Sequence, residues 1–169
     1  MITIRNAQIS DARAIAKVHV LSWQAIYRGH IPDNVLDNLS IDEREKMWKT
    51  LLEKNITVLV LENDNNLVGF VSFCPCRDQD VDPLIVAEIS AIYIVPDEWR
   101  KGFGKLLLKA AISELKKNGF NVTTLWVIEN NQQAKKFYEA MGFKNSFEIK
   151  ILQRDNYTLH EVKYVKDLL

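Results

Sequence analysis

Hydrophobic and polar positions recur along the chain with two different periods, which predict strands and helices in a regular order. Residues 2–8, ITIRNAQ, alternate at every second position and are predicted to form a strand. Residues 11–27, DARAIAKVHVLSWQAIY, carry apolar residues at helical spacing after Ser10, which is a candidate N-cap. Ser40 and Glu43 have the spacing of a capping box that opens a second long helix, after the short helical piece NVLDNL.

The rest of the chain continues this alternation of elements. Two strands are joined by the turn residues NDNN, and a third strand rich in β-branched and aromatic residues precedes two helix–strand pairs and a last strand. The predicted strands are ITVLVLEND, LVGFVSFC, VAEISAIYIV, VTTLWVIE, FKNSFEIKIL and YTLHEVKYV, and the helices between them end near Gly119 and at Gly142. The order β-α-α-β-β-β-α-β-α-β-β indicates an α+β fold with a mixed sheet, which we expect to be a single domain over residues 1–169.

Composition narrows the class of protein without naming a function. The chain is 47% hydrophobic and 26% charged, as in ordinary globular proteins, and 22 basic residues balance 22 acidic ones. This balance gives no global attraction to nucleic acid or to an anionic membrane. The sequence shows neither a secretory signal nor an apolar run of about 18 residues, so we expect a cytoplasmic protein with Cys74 and Cys76 reduced. The three histidines are scattered without ligand spacing, and no metal site is expected.

The stretch VPDEWRKGFGKLLLKA places Gly102 and Gly104 at the start of an apolar helix, with Arg100, Lys101 and Lys105 around them. Glycine at a helix start costs backbone entropy, so its presence needs a reason. One reason is a tight turn that packs closely. The other is a phosphate group held by backbone N–H groups at the positive end of the helix dipole. The glycine spacing fits neither a P-loop nor the dinucleotide-binding fingerprint.

Several segments taken together resemble the GNAT family of N-acetyltransferases: AEISAIYIV, PDEWRKGFG, KLLLKAAISELKKNG, TTLWVIE and NNQQAKKFYEAMGF. The resemblance is strong over residues 88–143 and looser in the N-terminal half, where SWQAIYRGHIP is similar to the opening helices of many bacterial members. It implies a mixed, mostly antiparallel central sheet, flanked by helices and splayed around acetyl-coenzyme A. Acetyl-coenzyme A would be the co-substrate.

The resemblance assigns cofactor binding to one strand and the turn that follows it. The pantetheine arm would pair with the backbone of the strand, and the pyrophosphate would lie on N–H groups of the turn. The implied cofactor-binding residues are Ile92, Tyr93, Ile94, Trp99, Arg100, Lys101, Gly102, Phe103, Gly104 and Lys105. Trp99 stands where the family usually has Gln or Arg, and we expect binding to survive because the phosphate contacts are mostly main chain. Asn131 is a further candidate for holding the cofactor, and a plain N-cap is its other reading.

Acetyl transfer to an amine needs a neutral amine, a donor to the carbonyl oxygen and a proton for the leaving thiolate. The resemblance makes Tyr138 the candidate acid, although an aromatic packed in the core beside Phe137 fits the same spacing. Glu88 is the candidate base, because burial among apolar neighbours would raise the pKa of its carboxyl group. A strand-end carboxylate facing water is the alternative. Relatives that acetylate ribosomal proteins carry a glutamate where this chain has Trp126.

Trp23, Tyr27 and Arg28 are the candidate acceptor-binding residues, since the first two helices form one wall of the substrate cleft in this family. An aromatic helix face packed on the sheet is the other reading. The expected function is transfer of an acetyl group to a primary amine, on a small molecule or a peptide N-terminus, by direct attack in a ternary complex. The alternative is an acyl-coenzyme A sensor or scaffold without turnover. Dimers are common in the family, and the final strands offer an edge for a homodimer. Neither a nucleic acid nor a membrane is an expected partner.

Overall fold

The computed structural model describes residues 1–54 and 56–169 of the chain. Seven strands and five α-helices are found in these residues, together with single 3-10 turns at Ile9–Asp11 and Pro96–Glu98. The strands are β1 (Ile2–Asn6), β2 (Thr57–Asn63), β3 (Asn66–Pro75), β4 (Val86–Ile94), β5 (Val122–Ile128), β6 (Lys144–Gln153) and β7 (Thr158–Asp167). The helices are α1 (Ala12–Ile26), α2 (Asp33–Asp37), α3 (Ile41–Glu53), α4 (Phe103–Lys117) and α5 (Gln132–Ala140).

The strands form one open, mixed sheet in the order β1-β2-β3-β4-β5-β7-β6. β4 and β5 run parallel, with Val86–Glu88 beside Val122–Thr124, whereas β1–β2, β2–β3, β5–β7 and β6–β7 are antiparallel pairs. The α+β fold with a mostly antiparallel sheet flanked by helices is therefore confirmed. No helix in the described part of the chain is long and apolar enough to cross a membrane.

The chain folds as two compact units, of which the first comprises Met1–Phe73 and Ala91–Ala111. Its core is built by the apolar face of α1, one tryptophan of α3 and inward residues of β2 and β3. These residues are Ala12, Ile15, Ala16, Val18, Trp48, Val58, Val60 and Phe70. All are at most 3% exposed. Burial of this face is what holds α1 and α3 in place, because apolar area removed from water is the main stabilising contribution in a domain of this size.

The second unit comprises Cys74–Ser90 and Ile112–Leu169. Its fully buried Tyr164 on β7 donates a hydrogen bond of 2.8 Å to Glu139 of α5, so the helix is tied to the strand by a polar contact. The register of β6 shifts between Asn145 and Ile149, and Phe147 in this bulge has φ 63° and is 82% exposed. The Asn145 side chain accepts a hydrogen bond of 2.8 Å from the Phe147 N–H, which stabilises the bulge.

One predicted helix start is confirmed and one is wrong. Ser40 caps α3, where its hydroxyl oxygen accepts a hydrogen bond of 3.1 Å from the Glu43 N–H. Ser10 does not cap α1, because the chain first makes the 3-10 turn at Ile9–Asp11. There the Asp11 carboxylate accepts a hydrogen bond of 2.7 Å from the Gln8 N–H. α1 therefore begins at residue 12.

Salt bridges of Arg5 explain why Asp11, and not Ser10, determines where α1 begins. The Arg5 guanidinium on β1 donates two hydrogen bonds, of 2.8 and 3.0 Å, to the Asp11 carboxylate and a third, of 2.6 Å, to Glu62 on β2. These contacts hold the pKa of Asp11 below its ordinary value. The entry to α1 is thereby fixed to the β1–β2 pair.

The predicted helix ends are confirmed. α4 stops at Lys117 and is followed by Gly119 with φ 86°. α5 stops at Ala140 and is followed by Gly142 with φ 88°.

Gly69 on β3 marks a place where no side chain fits. A Cβ atom added there would lie 2.3 Å from the Ile94 Cδ1 atom, 3.1 Å from the Tyr93 carbonyl oxygen and 3.2 Å from the Leu107 Cδ1 atom. The glycine therefore allows the last residues of β4 and the start of α4 to approach β3 closely.

We expect Gly69→Ala to destabilise the protein by about 1–3 kcal/mol, because the added methyl overpacks this contact. The measurement is the free energy of unfolding in urea, followed by circular dichroism. Ile94→Val removes the methyl that the new Cβ meets, so the double variant should lose less than the sum of the two single losses. Simple additivity of the two losses would contradict this explanation.

Candidate active site

The segment from Trp99 to Lys105, which we call the glycine turn, follows the 3-10 turn at Pro96–Glu98 and includes the first residues of α4. Arg100 and Gly102 in it have left-handed backbones, with φ 64° and 83°. An added Cβ at Gly102 would meet nothing within 4 Å, so this glycine is required for its backbone angle and not for space. Gly104 differs from it, because it lies in the first turn of α4.

The backbone of the glycine turn has features that occur in anion-binding loops. Left-handed residues that alternate with ordinary ones turn successive N–H groups toward one side, forming a concave nest. The Leu106 N–H donates to the Gly102 carbonyl oxygen at 3.1 Å, and the N–H groups of the residues before it lie at the open end of the helix. The helix dipole adds positive potential at this end.

The glycine turn contains three cationic residues, which differ in whether a carboxylate pairs with them. Lys101 is paired with Glu98 at 3.0 Å. Arg100 and Lys105 are exposed, and in the described residues neither has a carboxylate within salt-bridge distance. These two side chains therefore provide the positive charge that is free to meet an anion.

Trp99 anchors the glycine turn to the end of β4. Its indole N–H donates a hydrogen bond of 2.6 Å to the Ile94 carbonyl oxygen. The fully buried Ser22 hydroxyl on α1 donates to the same oxygen at 3.0 Å. A carbonyl oxygen has two lone pairs, so that of Ile94 is fully occupied by α1 and the turn. Trp99 thus has a structural role at a place where the family usually has Gln or Arg.

Aromatic side chains of the first unit form a cluster of six rings, which we call the aromatic cluster: His19, Trp23, Tyr27, Trp48, Phe70 and Tyr93. The Tyr27 and Tyr93 hydroxyl groups are 3.1 Å apart, within hydrogen-bond distance. The structure therefore brings together Trp23 and Tyr27, predicted to bind the acceptor, and Tyr93, predicted to bind the cofactor. Arg28 is not part of this cluster, since its exposed guanidinium pairs with Asp33 at 3.2 Å and with Asp37 at 2.5 Å.

His19 lies within the aromatic cluster as a neutral side chain. Burial, together with the smaller effect of the nearby positive charge of Arg44, lowers its pKa to about 3. Its Nδ1 atom accepts a hydrogen bond of 3.1 Å from the Trp48 indole N–H, a bond that only the unprotonated nitrogen can accept. His19 is therefore a structural acceptor in this unit.

Arg44 on α3 contacts the aromatic cluster, and sequence reasoning missed it. Its guanidinium carbon lies 5.4 Å from the centre of the Trp23 ring, in the geometry of a cation–π contact. No local signal in the sequence marks Arg44, because the contact joins residues on two different helices.

In the second unit, the buried Glu88 carboxylate accepts three hydrogen bonds from Arg77. It accepts hydrogen bonds from the Arg77 backbone N–H at 2.9 Å, from Nε at 2.6 Å and from Nη2 at 3.2 Å. Glu88 is 5% exposed, so it does not face water.

Asn131 and Tyr138 lie at the start and in the body of α5. The Asn131 side-chain oxygen accepts a hydrogen bond of 3.1 Å from the Ala134 N–H, so it caps the helix. The half-buried Tyr138 ring contacts the rings of Phe137 and Phe143, with centres 5.3 and 5.9 Å apart. Both local readings of these residues, the cap and the aromatic packing, are thus present in the fold.

Trp126 belongs to a charged cluster of the second unit that the sequence did not predict. Its indole N–H donates to Asp78 at 3.2 Å, and the Lys150 ammonium lies 4.5 Å from its ring centre. The nearly buried Lys163 pairs with Asp78 at 3.1 Å and with Glu148 at 3.3 Å. Burial would lower the pKa of Lys163, but these two carboxylates outweigh it and raise that pKa. Within the described residues, no group of three or more metal-ligating side chains is arranged around a common point.

The neutrality of His19 can be tested by titration. We expect its ring signals in nuclear magnetic resonance not to shift between pH 8 and 5, because its pKa lies near 3 in the folded protein and near 6.5 in the unfolded chain. Below pH 6.5 the unfolded chain binds a proton that the folded chain does not, so this contribution to stability is lost as the pH falls from 6.5 toward 3.

The matched variant is His19→Gln, whose side-chain carbonyl can still accept from Trp48. The wild type should lose stability relative to this variant by at most about 1.4 kcal/mol for each pH unit in that window. A His19 signal that titrates between pH 6 and 7 would contradict the assignment.

Comparison with known proteins agrees with this fold. The family model described as "Acetyltransferase (GNAT) family" matches residues 23–143. A Bacillus subtilis protein named as an uncharacterized N-acetyltransferase, YuaI, is 36% identical over 140 residues, covering 83% of this chain and 79% of its own. A spermidine N(1)-acetyltransferase of Thermoplasma acidophilum is 27% identical over 149 residues, covering 85% of this chain and 88% of its own.

A solved structure extends the likeness to three dimensions. The PaiA N-acetyltransferase of Thermoplasma acidophilum, in complex with coenzyme A, has a TM-score of 0.77 and is 25% identical, with 99% of both chains covered. The family model, the relatives and this structure point to one class of enzyme. The chain belongs to the GNAT family and is an N-acetyltransferase.

Proposed function

We propose that this protein transfers the acetyl group of acetyl-coenzyme A to a primary amine, on a small molecule or a peptide N-terminus, by direct attack in a ternary complex. The observation that carries the proposal is the glycine turn, with its left-handed Arg100 and Gly102 before a helix. The coenzyme A complex of the Thermoplasma acidophilum protein supports the choice of ligand. The spermidine acetyltransferase supports an amine as acceptor.

In this proposal the N–H groups of the glycine turn hold the pyrophosphate. Phosphate groups bind well at helix N-termini, because N–H donors and the helix dipole act together. The unpaired charges of Arg100 and Lys105 support the binding of a dianion at this point. Ile92 and Tyr93 present backbone groups to the pantetheine arm, while the occupied carbonyl of Ile94 contributes by fixing the turn.

Acetyl-coenzyme A supplies the acetyl group as a thioester. The amine nitrogen forms the new bond to the acetyl carbon as the bond to sulfur breaks, and the amine loses a proton while the thiolate gains one. We assign the proton for the thiolate to Tyr138, whose hydroxyl can donate it. A backbone N–H near Ile92 or Tyr93 stabilises the charge on the carbonyl oxygen.

Glu88 is the proposed base for the amine. Arg77 donates two hydrogen bonds to Oε1 and one to Oε2, so we assign the proton to Oε2, the less occupied oxygen. Asn131 acts in this proposal by capping α5, the helix that carries Tyr138.

The glycine turn can be tested by calorimetric titration with coenzyme A. We expect Gly102→Asp to weaken binding at least 10-fold, because its carboxylate would lie beside the pyrophosphate. Gly102→Asn keeps the shape of the side chain without the charge, and its loss should be clearly smaller. Gly119→Asp is the matched control, since Gly119 has a similar φ of 86° and equal space for a side chain. Equal losses at both glycines would contradict the proposed phosphate site.

Tyr138→Phe tests the proton donor. We expect kcat to fall about 100-fold or more, while the affinity for coenzyme A stays within about 3-fold, because only the hydroxyl is removed. Thiol release with a panel of primary amines measures turnover, and thermal unfolding checks the packing against Phe137 and Phe143. Tyr157→Phe, which removes a hydroxyl in the turn between β6 and β7, serves as the control. Unchanged turnover at saturating acetyl-coenzyme A would remove Tyr138 from the mechanism.

A further inference from the structure

Arg44 is a half-buried cation that pairs with no carboxylate in the described residues. The one hydrogen bond of its guanidinium there is a weak contact of 3.8 Å to the Met47 sulfur. By contrast, Arg13 is more exposed and still pairs with two carboxylates, at 2.9 and 2.7 Å. Arginine is seldom buried without an anionic partner, because the loss of hydration then goes uncompensated.

Trp23, whose ring lies under this guanidinium, has an unused donor of its own. Its indole nitrogen is buried and has no hydrogen-bond partner in the described residues. Buried N–H groups without an acceptor are rare in folded proteins, and each asks for an explanation. A cation–π contact leaves the N–H groups of arginine free to donate in the plane of the guanidinium. One ring contact therefore joins two sets of donors for which the described residues provide no oxygen acceptor.

The rings that adjoin the Trp23 contact carry no negative charge. The six members of the aromatic cluster include no carboxylate, and its one titratable imidazole, His19, is neutral. The positive charge of Arg44 acts electrostatically on this cluster, since it contributes to the lowered pKa of His19. A polycationic acceptor such as a polyamine would meet an uncompensated cation here, whereas an anionic group would find both donors ready.

We propose that the amine acceptor also carries a carboxylate, as an α-amino acid does, and that this carboxylate binds Arg44 and the Trp23 indole N–H. The inference rests on the proposed function and adds the class of its acceptor. The neutral amine nitrogen of the amino acid forms the bond to the acetyl carbon, the bond to sulfur breaks, and the proton of the amine ends on the coenzyme A thiol. The aromatic cluster packs against the apolar part of the acceptor.

The experiment compares matched acceptors that differ only in the anion. L-methionine, L-phenylalanine and L-leucine are each assayed beside their carboxamides, with spermidine as a polycationic reference. We expect kcat/KM to be about 10- to 100-fold higher for the acids, the range given by a charge-assisted hydrogen bond. The amine of a carboxamide is less basic and more often neutral, so this bias works against the expected result.

The variants identify the residue responsible. Arg44→Gln should remove the preference for the acids and change kcat/KM for the carboxamides by less than about 3-fold, with the loss mainly in KM. Arg44→Lys should restore part of the preference, because it returns the charge without the planar pair of donors. Trp23→Phe keeps the ring and should lower kcat/KM for the acids alone. Lys46→Gln, on the exposed side of the same helix, removes an equal charge and should leave every rate unchanged.

The outcomes separate this proposal from the one on which it rests. Carboxamides or spermidine used as well as the acids, or no reaction with either series, would overturn the carboxylate assignment. A loss in Arg44→Gln that is equal for acids and carboxamides would overturn it as well. Failure of the wild type to bind acetyl-coenzyme A in calorimetry would overturn the proposed acetyl transfer instead.

Discussion

The carbonyl oxygen of Ile94 is the point on which the first unit depends. It accepts one hydrogen bond from Ser22 on α1 and another from Trp99 in the glycine turn. Both lone pairs of this oxygen are therefore used. One atom at the end of β4 connects the strand with α1 and with the glycine turn at the start of α4. The close approach of β3 at Gly69 completes this arrangement, since it keeps the Ile94 side chain buried.

The fixed position of Ile94 and Trp99 favours the binding proposed for the cofactor. The main-chain groups proposed to hold the cofactor belong to the same few residues that are anchored by Ile94 and Trp99. A site that is held in shape before binding loses less entropy when the ligand arrives. The tryptophan at residue 99, which departs from the family pattern, is thus compatible with a phosphate site built from backbone groups.

Local features of the fold could be read from the sequence, and long-range contacts could not. The capping of α3 by Ser40 and the ends of α4 and α5 follow from residues a few positions apart, and all three predictions are confirmed. The start of α1 was mispredicted because Arg5, from a neighbouring strand, selects Asp11. The fold class followed from the order of the elements and from the motifs of the family.

The candidate site divides in the same way. The glycine turn is visible in the sequence because its proposed function depends on consecutive backbone groups. Arg44 is not, since what distinguishes it is that no carboxylate pairs with it in the described residues, which only the three-dimensional structure can reveal. The pairing of Glu88 with Arg77 likewise depends on how the segment before β4 folds back.

The placement of the tryptophans gives this protein an optical reporter. Three of its four tryptophans, Trp23, Trp48 and Trp99, lie in the first unit, where two belong to the aromatic cluster and the third anchors the glycine turn. Indole emission responds to nearby charge and hydration, so a ligand that enters either place changes the intrinsic fluorescence of the unlabelled enzyme. Ligand binding at the aromatic cluster and at the glycine turn can then be followed in real time by stopped-flow spectroscopy.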